Sequence, residues 1–125
     1  MRHCDTKQIN FWLVTSQNYR LSCKINRLDN GDSILNRSLT SNELQQVKIG
    51  KYAFINLITL SANDDFPENT VLTYNFILSS AESTEGDLVS LIPDLAYENQ
   101  QLPNFIIKSK INKVLHGSCR KPHFD

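Results

Sequence analysis

Glycine and proline are scarce, at four residues each, which excludes collagen-like and low-complexity chains. Cysteine is scarce too: Cys4, Cys23 and Cys119 form no CxxC pair, and an odd count cannot be fully bridged. This argues against a disulfide scaffold and for a reducing compartment. Long apolar runs are missing, and nothing approaches the ~18 residues that a membrane-spanning helix needs. In the first thirty residues His3, Asp5, Lys7, Gln8 and Asn10 break up any signal-peptide core. The expectation is a cytoplasmic chain without a membrane partner, unless Met1 replaces an upstream segment. Net charge is missing as well, since 13 basic residues balance 13 acidic ones. Without a net positive field there is no electrostatic case for a nucleic-acid partner.

The charges are nevertheless sorted. No Lys or Arg lies between Lys51 and Lys108, a stretch that holds Asp64, Asp65, Glu68, Glu82, Glu85, Asp87, Asp94 and Glu98. Lys108, Lys110, Lys113, Arg120 and Lys121 follow. This reads as acidic loops beside a solvated basic tail, or as a tail facing an acidic partner.

What is present is strand patterning over 125 residues, enough for one core. Tyr19, Leu21, Cys23 and Ile25 alternate with polar residues, a period of two with one wet face. Ile9 to Thr15 reads as a buried strand with Trp12 in the core, joined to the next strand as a hairpin through Ser16-Gln17-Asn18. Asp29-Asn30-Gly31-Asp32 is a turn, and Ser33 to Leu39 a weaker strand. Over Glu43 to Ile49 a short helix competes with other readings. Tyr52 to Leu60 and Val71 to Leu78 are strong strands, the second with Leu72, Tyr74, Phe76 and Leu78 inward and Thr73 and Asn75 outward. Ser79 to Gly86 reads as loop, and Leu88 to Tyr97 as a turn or short helix interrupted by Pro93. Phe105 to Ser109 and Ile111 to His116 complete the strands. The pattern predicts an all-β fold, an immunoglobulin/fibronectin type III-like antiparallel β-sandwich.

Chemistry-bearing residues cluster late. His116, Cys119 and His123 are side chains that suit zinc or iron, but three ligands in eight residues fall short of a structural site. A cysteine phosphatase loop fails, because Arg120 follows Cys119 immediately instead of closing a loop of backbone N–H groups. Asp64-Asp65 hydrates a loop or holds calcium weakly. Cys23 is read as a small hydrophobe.

Two strings add a resemblance. Arg2-His3-Cys4-Asp5 followed by Phe11-Trp12-Leu13-Val14, and then Leu115-His116-Gly117-Ser118-Cys119-Arg120-Lys121-Pro122-His123, resemble the N-terminal domain of PhoD-like (alkaline phosphatase D) metallophosphatases. The second string is the specific one. The resemblance implies a non-catalytic β-sandwich over residues 1–110, with 111–125 as linker and first strand of a truncated catalytic domain. It also implies that Cys119 ligates a metal in the full-length enzyme, with iron and calcium or another divalent ion, and that Arg120 and Lys121 lie near the substrate phosphate. The family's further Asp, Asn and His ligands have no counterpart in this sequence. The chain alone is therefore expected to bind no cofactor and hydrolyse nothing. Its expected partner is its own catalytic domain, and pairing of exposed edges or exchanged C-terminal strands would give a homodimer. Two other readings stay open: a free-standing fibronectin-like module binding protein or glycan, and a small metal protein using His116, Cys119 and His123.

Overall fold

The computed structural model describes residues 1–117. Among these described residues nine strands run in chain order: β1 (His3–Cys4), β2 (Gln8–Thr15), β3 (Arg20–Arg27), β4 (Ser33–Ser38), β5 (Leu44–Lys48), β6 (Phe54–Ser61), β7 (Val71–Ser79), β8 (Thr84–Asp87) and β9 (Asn104–Ile106). They form two antiparallel sheets, one in the order β1-β2-β6-β5 and the other β4-β3-β7-β8, with β9 also pairing β7. The protein is an all-β sandwich. Among the described residues no helix is long and apolar enough to cross a membrane.

Side-chain alternation builds the core. Ile9 and Phe11 of β2 stand opposite Leu60 and Ile58 of β6 on one inner face. Leu21, Cys23 and Ile25 of β3 stand opposite Leu78, Phe76 and Tyr74 of β7 on the other. All of these except the half-buried Tyr74 are buried in one cluster. Phe11 joins the two faces, with ring centroids 4.9 Å from Tyr74 and 5.0 Å from Phe76. Each such fully buried side chain contributes about 1.5–3 kcal/mol of hydrophobic stabilisation. Phe66, from the loop after β6, closes one end, its N–H bonded to the Thr6 carbonyl at 2.8 Å.

Several sequence-based expectations are corrected. β2 and β3 do not form a hairpin. β2 pairs β6 and β3 pairs β7, so Ser16-Gln17-Asn18 crosses between sheets. Both strands are apolar enough to need a central place in a sheet, and each pairs along its full length with a strand elsewhere. Glu43 to Ile49 yields strand β5, not helix, since Leu44 and Val47 pair with Ile58 and Ile55. The strand expected from Tyr52 begins at Phe54, and Tyr52 is exposed. The loop expected over 79–86 ends in strand β8.

β8 and β9 occupy the same edge of β7. β8 pairs Ile77 to Ser79, and β9 pairs Val71 to Thr73. Between them residues 88–103 leave the sheet as α1 (Leu88–Leu91) and a 3₁₀ turn (Pro93–Leu95). The helix starts at a reciprocal cap between Asp87 and Ser90, and Pro93, with no N–H to donate, stops it after one turn. This excursion buries Asn75 on the outer face of β7. Its amide donates to Asp87 Oδ2 at 2.8 Å and its carbonyl accepts from the Leu88 N–H at 3.2 Å. Thr73 is buried on the same face and donates to the Asn26 carbonyl at 3.3 Å.

After β9, Ile107 is buried, and Ser109 and Asn69 exchange two hydrogen bonds at 2.8 and 3.4 Å. The strand expected over Ile111 to His116 does not form here. Residues 111–117 have no regular structure, and Ile111, Val114 and Leu115 are exposed. A lone strand with both edges unpaired has nothing to offset its ordering entropy.

Candidate functional site

Of the residues singled out at the C-terminus, His116 is exposed on the unstructured segment. Cys119, Arg120, Lys121 and His123 lie outside the described residues. Among the described residues no three His, Cys, Asp or Glu side chains are grouped to hold a metal ion. Asp64 and Asp65 sit in an exposed loop, and Asp65 is taken by an ion pair with Lys7.

The two described thiols are both free. Cys23 is buried in the core, and burial pushes its thiol up to about 12, so it has almost no nucleophilic thiolate near neutral pH. It is the small hydrophobe its alternation predicts. Burial and the neighbouring Asp5 carboxylate also raise the Cys4 thiol. The half-buried Glu43 carboxylate is held below its usual range by the hydrogen bond from Arg37, which ties β4 to the turn before β5.

What the fold does assemble is an open sheet edge beside an apolar cleft. Among the described residues β1 pairs only with Ile9 and Asn10 of β2, so residues 11–15 have a strand neighbour there on the β6 side alone. The backbone groups of successive residues point to alternate edges. The Asn10 carbonyl accepts the Arg2 N–H at 2.8 Å, which places the N–H and C=O groups of Trp12 and Val14 on the open side. Next to that edge lies a cleft of about 310 Å³, walled by Leu13 and Val14 of β2, Leu78 of β7, and Leu88, Leu91 and Ile92 of the excursion. Trp12 (46 % exposed) and Val14 (49 %) project from the outer face, where Trp12 stands opposite Leu57 and Val14 opposite Ile55.

Trp12 is thus not in the core, contrary to the sequence expectation. Phe11, Trp12, Leu13 and Val14 are all apolar, so the run does not say which face is inside. The informative residue is Asn10, which shares its face with Trp12 and Val14.

A polar lock fixes the end of the cleft. Asn56, on the inner face of β6, is fully buried and donates to Thr15 Oγ1 at 3.0 Å. Thr15 in turn donates to the Gln17 carbonyl at 2.7 Å, which sets the crossover at 16–18. Gln46 donates to both Asn56 Oδ1 at 2.8 Å and the Tyr19 carbonyl at 2.9 Å, tying the first sheet to the start of β3. Sequence reasoning passed over Asn56 because an Asn inside Phe54-Ile55-Asn56-Leu57-Ile58 looks like a flaw in a hydrophobic strand. No protein-family model matches the chain, nor does any curated protein or solved structure.

Proposed function

We propose that this chain is the non-catalytic N-terminal β-sandwich domain of a PhoD-like metal-dependent phosphatase or phosphodiesterase, and that it packs against a C-terminal catalytic domain. The observation that carries the reading is the course of residues 111–117. They leave the sandwich unpaired and expose Ile111, Val114 and Leu115 on the way into the Leu115-His116-Gly117-Ser118-Cys119 string. Strand-forming apolar residues with no place in this core suit a strand of the adjoining domain. There Cys119 is the candidate metal ligand, with Arg120 and Lys121 near the substrate phosphate. Iron and calcium, or another divalent ion, would then activate a water and polarise the phosphoryl group. The sandwich supplies none of that chemistry and shapes access to it.

The sheet orders also support an immunoglobulin/fibronectin type III-like frame. β1-β2-β6-β5 follows the A-B-E-D order, and β4-β3-β7-β8 follows C′-C-F-G, with the last strand split by the excursion.

An antibody raised against this chain tests the reading in the source cells. The expected result is a polypeptide far larger than 14.3 kDa whose immunoprecipitate hydrolyses bis(p-nitrophenyl) phosphate and loses that activity to a chelator. A 14.3 kDa species alone, without hydrolase activity, overturns it. The cleft beside Trp12 and Val14 favours a second reading, a free-standing binding module, which that outcome would promote.

A further inference from the structure

We propose that the open edge of β2 is a strand-addition site whose occupant is residues 111–117 of a second copy of this chain. The inference concerns the 125-residue chain on its own; where residues 111–117 enter an adjoining domain, as proposed above, the segment is taken up there and the β2 edge stays open.

An edge accepts a strand when it offers unpaired backbone groups, room beside them, and a place for alternate side chains. Trp12 and Val14 present their N–H and C=O groups to the open side, beyond the last residues that β1 pairs. The adjacent cleft of about 310 Å³ is apolar, walled by Leu13, Leu78, Leu88, Leu91 and Ile92. Side chains of an added strand that point between the sheets enter this cleft, and those that point outward cover Trp12 and Val14.

The occupant is argued from three observations. First, residues 111–117 are the right kind of segment: unpaired, free of Pro, and carrying Ile111, Val114 and Leu115 in the open, with Leu115 87 % exposed. Second, Ser109 is pinned to Asn69, so the segment leaves from a fixed point at the far end of β7, and in this structure it does not lie on its own β2 edge. Third, the charges are complementary. The segment and its lead carry Lys108, Lys110 and Lys113, whereas the 52–107 stretch that supplies one wall of the cleft holds no Lys or Arg. Asp94 is exposed on the excursion, in the 3₁₀ turn that directly follows Ile92 of that wall. Two chains exchanging segments reciprocally close the assembly as a dimer.

Analytical ultracentrifugation of the intact chain over a concentration series reads the outcome. The expected species has twice the 14.3 kDa chain mass and dissociates further as salt rises. Val14→Pro removes an edge N–H without touching the β6 ladder, because proline is tolerated where its nitrogen faces an open edge. Leu115→Asp alters only an exposed side chain. Both variants are expected to be monomers with the far-ultraviolet spectrum of the parent. A synthetic peptide of residues 109–117 is expected to protect the Trp12 and Val14 amides of Leu115→Asp from hydrogen exchange, which keeps the proposal testable if Val14→Pro fails to fold. A parent chain that stays monomeric, a dimer that survives Leu115→Asp, or a peptide that leaves those amides unprotected overturns the proposal. So does a monomer whose Trp12 and Val14 amides are already protected by its own tail.

Discussion

Asn56 and Thr15 meet between the two sheets, Asn56 Nδ2 lying 3.0 Å from Thr15 Oγ1, with both side chains buried. The same amide group lies within reach of the Leu13 and Phe54 carbonyls at 3.3 and 3.2 Å, and its oxygen accepts from Gln46. A buried amide with every group engaged stabilises its surroundings. The same site left half-satisfied costs about 1–3 kcal/mol per orphaned group. Asn56→Ala removes partners from both Thr15 and Gln46, and we expect a loss of about 2–4 kcal/mol in urea unfolding. Gln46→Ala is expected to cost less, and the double variant less than the sum, because the two side chains share one network. Additive losses would show that the two act independently.

Cys23 should resist thiol reagents until the sandwich opens. Its side chain is buried among β3 and β7 residues and burial raises its pKa to about 12, so both access and thiolate are lacking. Labelling with iodoacetamide, read residue by residue by mass spectrometry, is expected to modify Cys23 only in denaturant. Cys4, half-buried near the chain start, is expected to react slowly in the folded protein. Prompt native-state modification of Cys23 would contradict its place in the core.

The strands were legible where one face is wet. The alternation of Leu21, Cys23 and Ile25 with Ser22, Lys24 and Asn26 placed β3 and its inner face correctly. The run from Phe11 to Val14 gave a strand but not its orientation, because both faces are apolar. Pairing was less legible than strand position. A short polar link such as Ser16-Gln17-Asn18 suits a hairpin and a crossover between sheets equally well, and only the partners β6 and β7, far along the chain, decide between them. The candidate edge could not be read at all. It exists because β1 stops short, a property of register rather than of residue type.

Trp12 reports that edge directly, being the single tryptophan of the chain. Half-exposed on the outer face, it is expected to emit like a solvated indole and to be quenched efficiently by acrylamide in dilute protein. Trp12→Thr keeps a good strand former and is expected to cost only about 0.2–1 kcal/mol, the worth of a cross-strand pair with Leu57. A blue-shifted, unquenchable emission at dilutions where the chain is monomeric would place the indole inside instead.

Asp87 gives the fold an acid-sensitive joint. Hydrogen bonds from Ser90, then from the Asn75 amide, hold its carboxyl at about 2, below the ordinary 3.8. A carboxyl depressed in the folded state stabilises it fully above the unfolded value, and that contribution fades as pH falls through the folded one. The loss therefore falls between about pH 4 and pH 2. Asp87→Asn has no charge to lose, and it turns an N–H toward the Asn75 amide that now donates to Asp87 Oδ2. The variant is expected to be less stable than the parent at pH 5. The gap between their urea midpoints is expected to narrow steadily as pH is lowered to 2. A gap that stays constant across that range would mean that the carboxylate charge contributes nothing at the junction of β7 and α1.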